Sequence, residues 1–184
     1  VFMAPFFVLS ALGGEIADKH DKARIAERIK LAELGVALIA SLGFLLSSVP
    51  ILFLALGLYG VIGALFGPIK YGILPDHLTT EELTAGNALV EGGTFLAILG
   101  GAVAAGYVIG EELSGTAISG IIMALALACW LSARMIPATK AGAPELPITR
   151  NPLVSTFRLL GELKSDHRLW IGGHIVSWFW LVGA

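Results

Sequence analysis

Six long apolar stretches, separated by polar segments, organise the chain. Because a helix needs about 20 apolar residues to cross a bilayer, each stretch is about one bilayer long or is cut short at a chain end. None alternates strictly as a barrel strand does, and backbone groups in lipid need partners within their own segment, so we predict helices. The six predicted spans are Val1–Ala17, Leu31–Ser48, Val49–Ile69, Ala88–Ile109, Leu113–Ala133 and Leu169–Ala184.

The composition supports helices in lipid. Hydrophobic residues make up 56% of the chain and charged residues 14%, an excess too large for one water-soluble core. This excludes the soluble enzyme classes, and a net charge of −2 indicates no nucleic-acid partner. Cys129 is the single cysteine, which excludes an intrachain disulfide and a Cys-rich metal site. We expect neither a metal nor a cofactor.

The distribution of basic residues among the loops predicts the orientation of the chain in the membrane. All 12 lie in the first loop (19–30), at Lys70 in the third, or in the fifth (134–168). The second loop and the fourth, which contains Glu111 and Glu112, carry none. Because basic residues near span ends stay in the cytoplasm, we predict that the odd-numbered loops are cytoplasmic.

One long connection divides the chain into three parts. We expect five spans of one bundle over residues 1–136, a cytoplasmic linker over 137–168 and the first span of a second bundle over 169–184. Asn151 and Pro152 can start a helix, since leucine and phenylalanine side chains recur after them at helical spacing. This amphipathic helix would lie on the membrane surface or, equally, would pack on the bundle.

The turn after the first span reads Gly-Glu-Ile-Ala-Asp-Lys-His-Asp-Lys-Ala from Gly14 to Ala23. It resembles the signature between the second and third helices of the major facilitator superfamily. The matching residues are Gly14, Asp18, Lys19 and Lys22. Two positions depart from the signature: Asp21 replaces the usual glycine, and Ala23 replaces a usual basic residue. The resemblance implies a gating turn, with Asp18 docking on a helix N-terminus of the opposite half and the two lysines in nearby charge pairs. The alternative is a solvated loop carboxylate.

A second, longer resemblance involves residues 67–74, Leu78-Thr79-Thr80 and 86–91. With the glycine-rich helix that follows, they resemble the bacterial lysophospholipid transporter family of that superfamily. The resemblance implies an all-α membrane fold in which the six spans are helices two to seven of twelve. Because the first residue is Val1 and the last apolar run is short, we expect a fragment.

The implied function is movement of lysophospholipid across the bacterial inner membrane by a multi-pass secondary transporter. Its partners would be lysophospholipid or another amphipathic small molecule, the bilayer and the remaining helices. Two rivals stay open: a superfamily transporter of another solute, and the membrane module of a fused acyltransferase. The chain has neither a His-x-x-x-x-Asp nor a Gly-x-Ser-x-Gly motif, so we expect no catalysis within it.

Glu91 is the clearest candidate for the transport path, because a carboxylate within a span is costly and usually faces protein or a wet cavity. Asn87, Glu91 and Thr94 share one helix face. Lys70 follows Gly67-Pro68, a pair expected to kink or end its helix, and its cation could meet a phosphate. As alternatives, Glu91 pairs with Lys70 or caps a neighbouring helix, and Lys70 snorkels to the interface.

The last span offers two further candidates for the transport path. His174 and Trp178 lie one helical turn apart and could line the pathway from the second half.

Overall fold

A computed structural model describes residues 1–110, 113–149 and 151–183. Glu111 and Glu112 of the predicted fourth loop, together with Arg150 and Ala184, lie outside the described residues. The described residues form eight helices: α1 (Ala4–Lys19), α2 (Lys22–Leu45), α3 (Val49–Gly72), α4 (Leu74–His77), α5 (Leu83–Gly110), α6 (Gly115–Arg134), α7 (Pro152–Ser165) and α8 (His167–Gly183).

The six long helices form where the six spans are predicted. Within the described ranges, three segments are long and apolar enough to cross a membrane: Val49–His77, Leu83–Val108 and Gly115–Arg134. Helices α1 and α8 have 16 and 17 residues, and α2 carries charges along its first turns. The chain is therefore part of a multi-pass membrane protein, and length and composition confirm three of the six predicted spans.

The first predicted loop is mostly helix. Only His20 and Asp21 separate α1 from α2, so α2 begins nine residues before the predicted span. Asp21 explains the early start, because its carboxylate accepts a hydrogen bond from the Ala23 amide at 3.0 Å and caps the helix. Most of the charged residues that we predicted to lie in a loop instead occupy the first turns of α2, and Lys19 ends α1.

Pro68 neither ends nor interrupts α3. The helix continues to Gly72, although Pro68 has no amide to donate to the carbonyl of Ala64. Helix α1 approaches closely at this carbonyl, since a Cβ atom at Gly13 would lie 3.1 Å from the Ala64 oxygen. Gly13 thus permits close packing of α1 on α3 beside the proline.

Helix α3 lies between α1 and α2, and α6 packs on the other side of α2. The buried core at one end of this group contains Ala17, Ala26 and Ile69. This end of the bundle, where α1 ends and α2 begins, is called the basic end below. Helix α5 lies apart, and its main helix contact is with α4.

Helix α7 packs on α1, which is the second of the two arrangements predicted for it. Its Ser155 is 2% exposed, whereas Leu153 and Phe157 on the outer side are 52% and 72% exposed. The Asn151 side chain caps the helix as predicted, accepting from the Leu153 amide at 3.0 Å. Helix α8 packs chiefly against α7.

Candidate functional site

The predicted gating residues Gly14 and Asp18 lie on the last turns of α1, where both line a cavity of about 380 Å³. Pro68 of α3 and Arg158 of α7 also line this cavity. The Asp18 side chain is exposed, and its backbone carbonyl accepts a hydrogen bond from the Ala143 amide at 2.8 Å. The gating turn is therefore in direct contact with the linker.

The two lysines of the motif have different environments. Lys19 ends α1 and is half-buried. Lys22 begins α2, its side chain is only 7% exposed, and its Nζ lies 2.9 Å from Asp76 Oδ2. Asp76 belongs to α4, so this ion pair ties the start of α2 to the segment between α3 and α5. Lys22 thus forms its charge pair within the described bundle.

Glu15 is a site residue that the sequence analysis missed. Its Oε2 accepts from the Thr149 amide at 2.7 Å, and its Oε1 accepts from the Thr149 and Ser155 hydroxyls at 3.0 and 2.7 Å. These donors lie in the linker and in the first turns of α7. The available signal was the cost of a carboxylate within a predicted span, the same argument that identified Glu91.

Asp21 is the second missed residue. Besides capping α2, its Oδ1 accepts from the Thr139 amide at 3.1 Å and from the Thr139 hydroxyl at 2.9 Å. Burial alone would raise the pKa of Asp21, but the hydrogen bonds from Thr139 and from the first amides of α2 lower it below its usual value. Two carboxylates at the basic end thus hold the linker. We call this set of residues the linker clamp: Glu15, Asp21, Thr139, Thr149 and Ser155.

The predicted path residues Lys70, Glu91 and Thr94 meet where the end of α3 faces α5. Lys70 Nζ donates to Thr94 Oγ1 at 2.6 Å, and the Tyr71 hydroxyl donates to Glu91 Oε1. The boundary between the end of α3 and α5 is called the seam below. The alternative in which Glu91 pairs with Lys70 is wrong, because the two side chains bind different partners across the seam. Glu91 Oε2 is shielded from solvent and has no hydrogen-bond partner among the described residues.

The predicted polar face of α5 is only partly engaged. Glu91 and Thr94 are half-buried against α3, whereas Asn87 is exposed and donates to the Leu83 carbonyl of its own helix at 2.9 Å. Tyr71 is a partner that the sequence analysis did not identify. Its position directly after Lys70 was the available signal.

His174 and Trp178 lie away from this seam. They line a shallow groove together with Trp170, Ile171 and Ile175, all of which belong to α8. His174 Nδ1 lies 2.8 Å from the Trp170 carbonyl oxygen, and the centroids of the His174 and Trp170 rings are 4.5 Å apart. The structure therefore does not bring the second-half candidates to Lys70 and Glu91.

A helical bundle with lysines and carboxylates gathered at one end of its apolar helices defines the chain as part of a multi-pass membrane protein. Comparison with protein families matches residues 1–184 to the Major Facilitator Superfamily. The chain belongs to this superfamily, as its gating-turn sequence indicates.

Similar proteins carry the name lysophospholipid transporter LplT. The chain is 34% identical along its whole length to the protein of that name from Pectobacterium carotovorum subsp. carotovorum (strain PC1) and covers 43% of it. It is 31% identical, with the same coverage, to those of Yersinia pestis (strain Pestoides F) and Yersinia pseudotuberculosis serotype O:3 (strain YPIII). The chain thus spans less than half the length of these relatives. No solved structure matches it.

Proposed function

We propose that the protein containing this chain moves lysophospholipid across the bacterial inner membrane by alternating access, as a secondary transporter. The observation that carries the proposal is similarity along the whole chain to relatives named lysophospholipid transporters. The chain supplies five spans of the first bundle, the linker and part of the second bundle. The proposal assigns no catalytic step to this chain.

The seam between α3 and α5 is the part of the transport path that the contacts support best. An ammonium has three donors, and Lys70 uses one of them on Thr94. The other two are available to phosphate oxygens, which form strong charge-assisted hydrogen bonds with lysine. Glu91 retains an unpartnered oxygen, Oε2, which could accept from a polar headgroup. A headgroup at this seam would therefore find both a donor and an acceptor.

The remaining path residues are proposed on weaker contacts. Asn87 would extend the polar face of α5 toward the basic end, since it lies one turn before Glu91. His174 and Trp178 would line the path from the second bundle. Asp18, with Gly14 and Lys19, would form the gating turn, and Lys22 would hold that turn against Asp76.

The proposal places the basic end in the cytoplasm, as the sorting of basic residues favours. Single cysteines at Ser114 and Ala141, in a Cys129→Ala background, test this orientation in intact cells. An impermeant thiol reagent should label the cysteine at 114 and leave the one at 141 unlabelled. Labelling at 141 alone would mean that the orientation is inverted.

Transport itself is tested with the complete protein in proteoliposomes. Fluorescent lysophospholipid should redistribute between leaflets faster than in protein-free vesicles, and the rate should saturate with substrate concentration. Diacyl phospholipid of the same headgroup is the matched control and should move no faster than background. If lysophospholipid moves at the protein-free rate while another solute is transported, the rival superfamily transporter is the correct function.

A further inference from the structure

Residues 137–149, called the strap below, contain no helix or strand and are held by side chains of α1 and of the turn after it. Asp21 binds Thr139 at one end of the strap, and Glu15 binds Thr149 at the other. Between them, the Ala143 amide donates to the Asp18 carbonyl. The strap is therefore fastened on both sides of the gating carboxylate.

The strap also closes a space. The cavity of about 380 Å³ beside Asp18 is lined by Leu146 of the strap and Arg158 of α7 as well as by α1 and α3. Leu146 is half-buried at this wall. Movement of the strap away from α1 would therefore open the cavity and expose the Asp18 turn to the aqueous phase.

The chemistry of the linker clamp suits reversible closure. Its donors are neutral amides and hydroxyls, and its acceptors are two carboxylates. Water can replace a neutral donor at a carboxylate, so each such hydrogen bond makes only a small net contribution to the free energy of closure. Together, the hydrogen bonds fix one position of the strap. Closure by several weak bonds can be reversed within a transport cycle, whereas closure by a buried apolar interface resists opening.

We infer that Glu15 and Asp21 are positioning residues of the transport cycle, which hold the strap over the Asp18 turn in the present conformation and release it when the opposite half docks there. The inference rests on the proposed alternating access. Closure of the strap and docking of the opposite half use the same turn, so the clamp sets how often the turn is free. Weakening the clamp should therefore change both the exposure of the cavity and the rate of transport.

A cysteine at Ser10 reports the state of the cavity. Ser10 lines the cavity, and replacement by cysteine changes its shape little. The experiment uses the complete protein with Cys129→Ala and Ser10→Cys in inside-out vesicles, treated with an impermeant maleimide. Glu15→Gln and Asp21→Asn weaken the clamp, because Gln keeps only one of the two acceptor oxygens that Glu15 uses, and Asn lacks the charge that strengthens the hydrogen bonds to Asp21. Glu145→Gln, a change of an exposed carboxylate on the strap, is the matched control.

Glu15→Gln with Asp21→Asn should increase the labelling rate about tenfold, the effect expected when hydrogen bonds to charged groups are lost. Thr149→Val, which removes one hydroxyl donor and no charge, should increase it about threefold. Lysophospholipid uptake should fall at least threefold in the Glu15 and Asp21 double variant at unchanged protein abundance. Glu145→Gln should leave both rates as they were.

Two results would overturn the inference. An unchanged labelling rate in both the double variant and Thr149→Val means that the clamp does not close the cavity. Faster labelling with normal uptake means that the clamp has no part in the cycle. If the unmodified protein moves no lysophospholipid, the proposed function fails, and the labelling rates still decide whether the clamp closes the cavity.

Discussion

The carboxylate of Glu15 accepts hydrogen bonds from both the amide and the hydroxyl of Thr149, a residue 134 positions further along the chain. One side chain of α1 thereby fixes the end of the linker that leads into α7. The position of α7 follows from this contact, because Ser155 on its first turns donates to the same carboxylate. A residue inside the predicted gating-turn sequence thus also holds the linker and the start of α7.

The ion pair of Lys22 and Asp76 should stabilise the folded bundle. Lys22→Gln leaves Asp76 without its partner near a buried position, and we expect a loss of about 2–3 kcal/mol in the free energy of unfolding. Adding Asp76→Asn should recover part of this loss, since removing both charges costs less than leaving one. Thermal unfolding of the complete protein in detergent measures both effects.

Arg24→Gln is the control for the Lys22 variant. Arg24 lies two residues further along and pairs with Asp21, but its side chain is 77% exposed, so its removal should have little effect on unfolding. Equal destabilisation by the Arg24 and Lys22 variants would show that the Lys22 pair has no special structural role.

The attachment of the strap to Asp21 should depend on pH. Because the folded-state pKa of Asp21 lies below its unfolded value of about 3.9, the stabilisation is complete above about pH 4 and is lost as the pH falls through the folded pKa. The charged neighbour is Arg24, whose Nε lies 3.4 Å from Asp21 Oδ2. Hydrogen exchange at the Thr139 amide, corrected for the intrinsic rate, should lose protection as the pH falls below about 4.

The Asp21→Asn variant provides the comparison for this titration. Asparagine does not titrate, so protection at the Thr139 amide should be weaker at neutral pH and should not change over the same range. A pH profile identical to that of the unmodified protein would assign the titration to another group.

Much of the helical architecture could be predicted from the sequence, because apolar length and turn chemistry are local. The long helices form in the predicted places, and Thr79 and Glu82 have the spacing of a capping box, with the Thr79 amide donating to Glu82 Oε2 at 2.9 Å. The early start of α2 was missed, since the charged residues over 22–30 exclude a span and not a helix. The helix end, one of the two outcomes predicted at Pro68, is wrong, since α3 continues to Gly72 with α1 packed closely at Gly13 beside the proline.

The candidate site was predicted less completely, because its contacts join distant parts of the chain. The polar face of α5 and the cation at Lys70 follow from helical spacing, but their actual partners do not. The Tyr71 hydroxyl donates to Glu91 and the Lys70 ammonium donates to Thr94, because these pairs are set by how α3 and α5 face each other. The linker clamp could not be predicted at all from spacing, since Asp21 and Thr139 are 118 positions apart.

Tyr71 and Glu91 should act as a unit in transport. We expect Glu91→Gln to lower lysophospholipid uptake at least fivefold, since the amide keeps the shape of the side chain but not its charge. Tyr71→Phe should lower uptake less, because it removes one donor and leaves the carboxylate in place. The double variant should resemble Glu91→Gln alone, as expected for residues in direct contact.

Initial uptake rates at matched protein abundance measure this coupling. Leu89→Val is the control and should transport normally, because Leu89 is 77% exposed and lies on the opposite face of α5 from Glu91. Normal uptake by Glu91→Gln would remove Glu91 from the transport path. Fully additive losses would show that the hydrogen bond between Tyr71 and Glu91 has no part in transport.

Asp18 should matter for transport and little for folding. Its side chain is exposed, so Asp18→Asn should change the unfolding temperature by less than about 2 °C and should leave abundance unchanged. If the carboxylate docks on a helix N-terminus of the opposite half, its replacement removes about 0.3–1 kcal/mol from one conformation and alters the transport rate. Unchanged uptake across a substrate titration would mean that Asp18 is a solvated carboxylate with no gating role.

We expect the complete protein to transport lysophospholipid through a path to which this chain contributes. The most direct measurement is uptake of radiolabelled lysophospholipid by spheroplasts that express the complete protein, compared with spheroplasts that express the Asp18→Asn, Glu91→Gln double variant at equal abundance. Uptake by the unmodified protein should be saturable, and uptake by the double variant should be near the empty-vector level. Uptake by the unmodified protein that equals the empty-vector level would contradict this expectation.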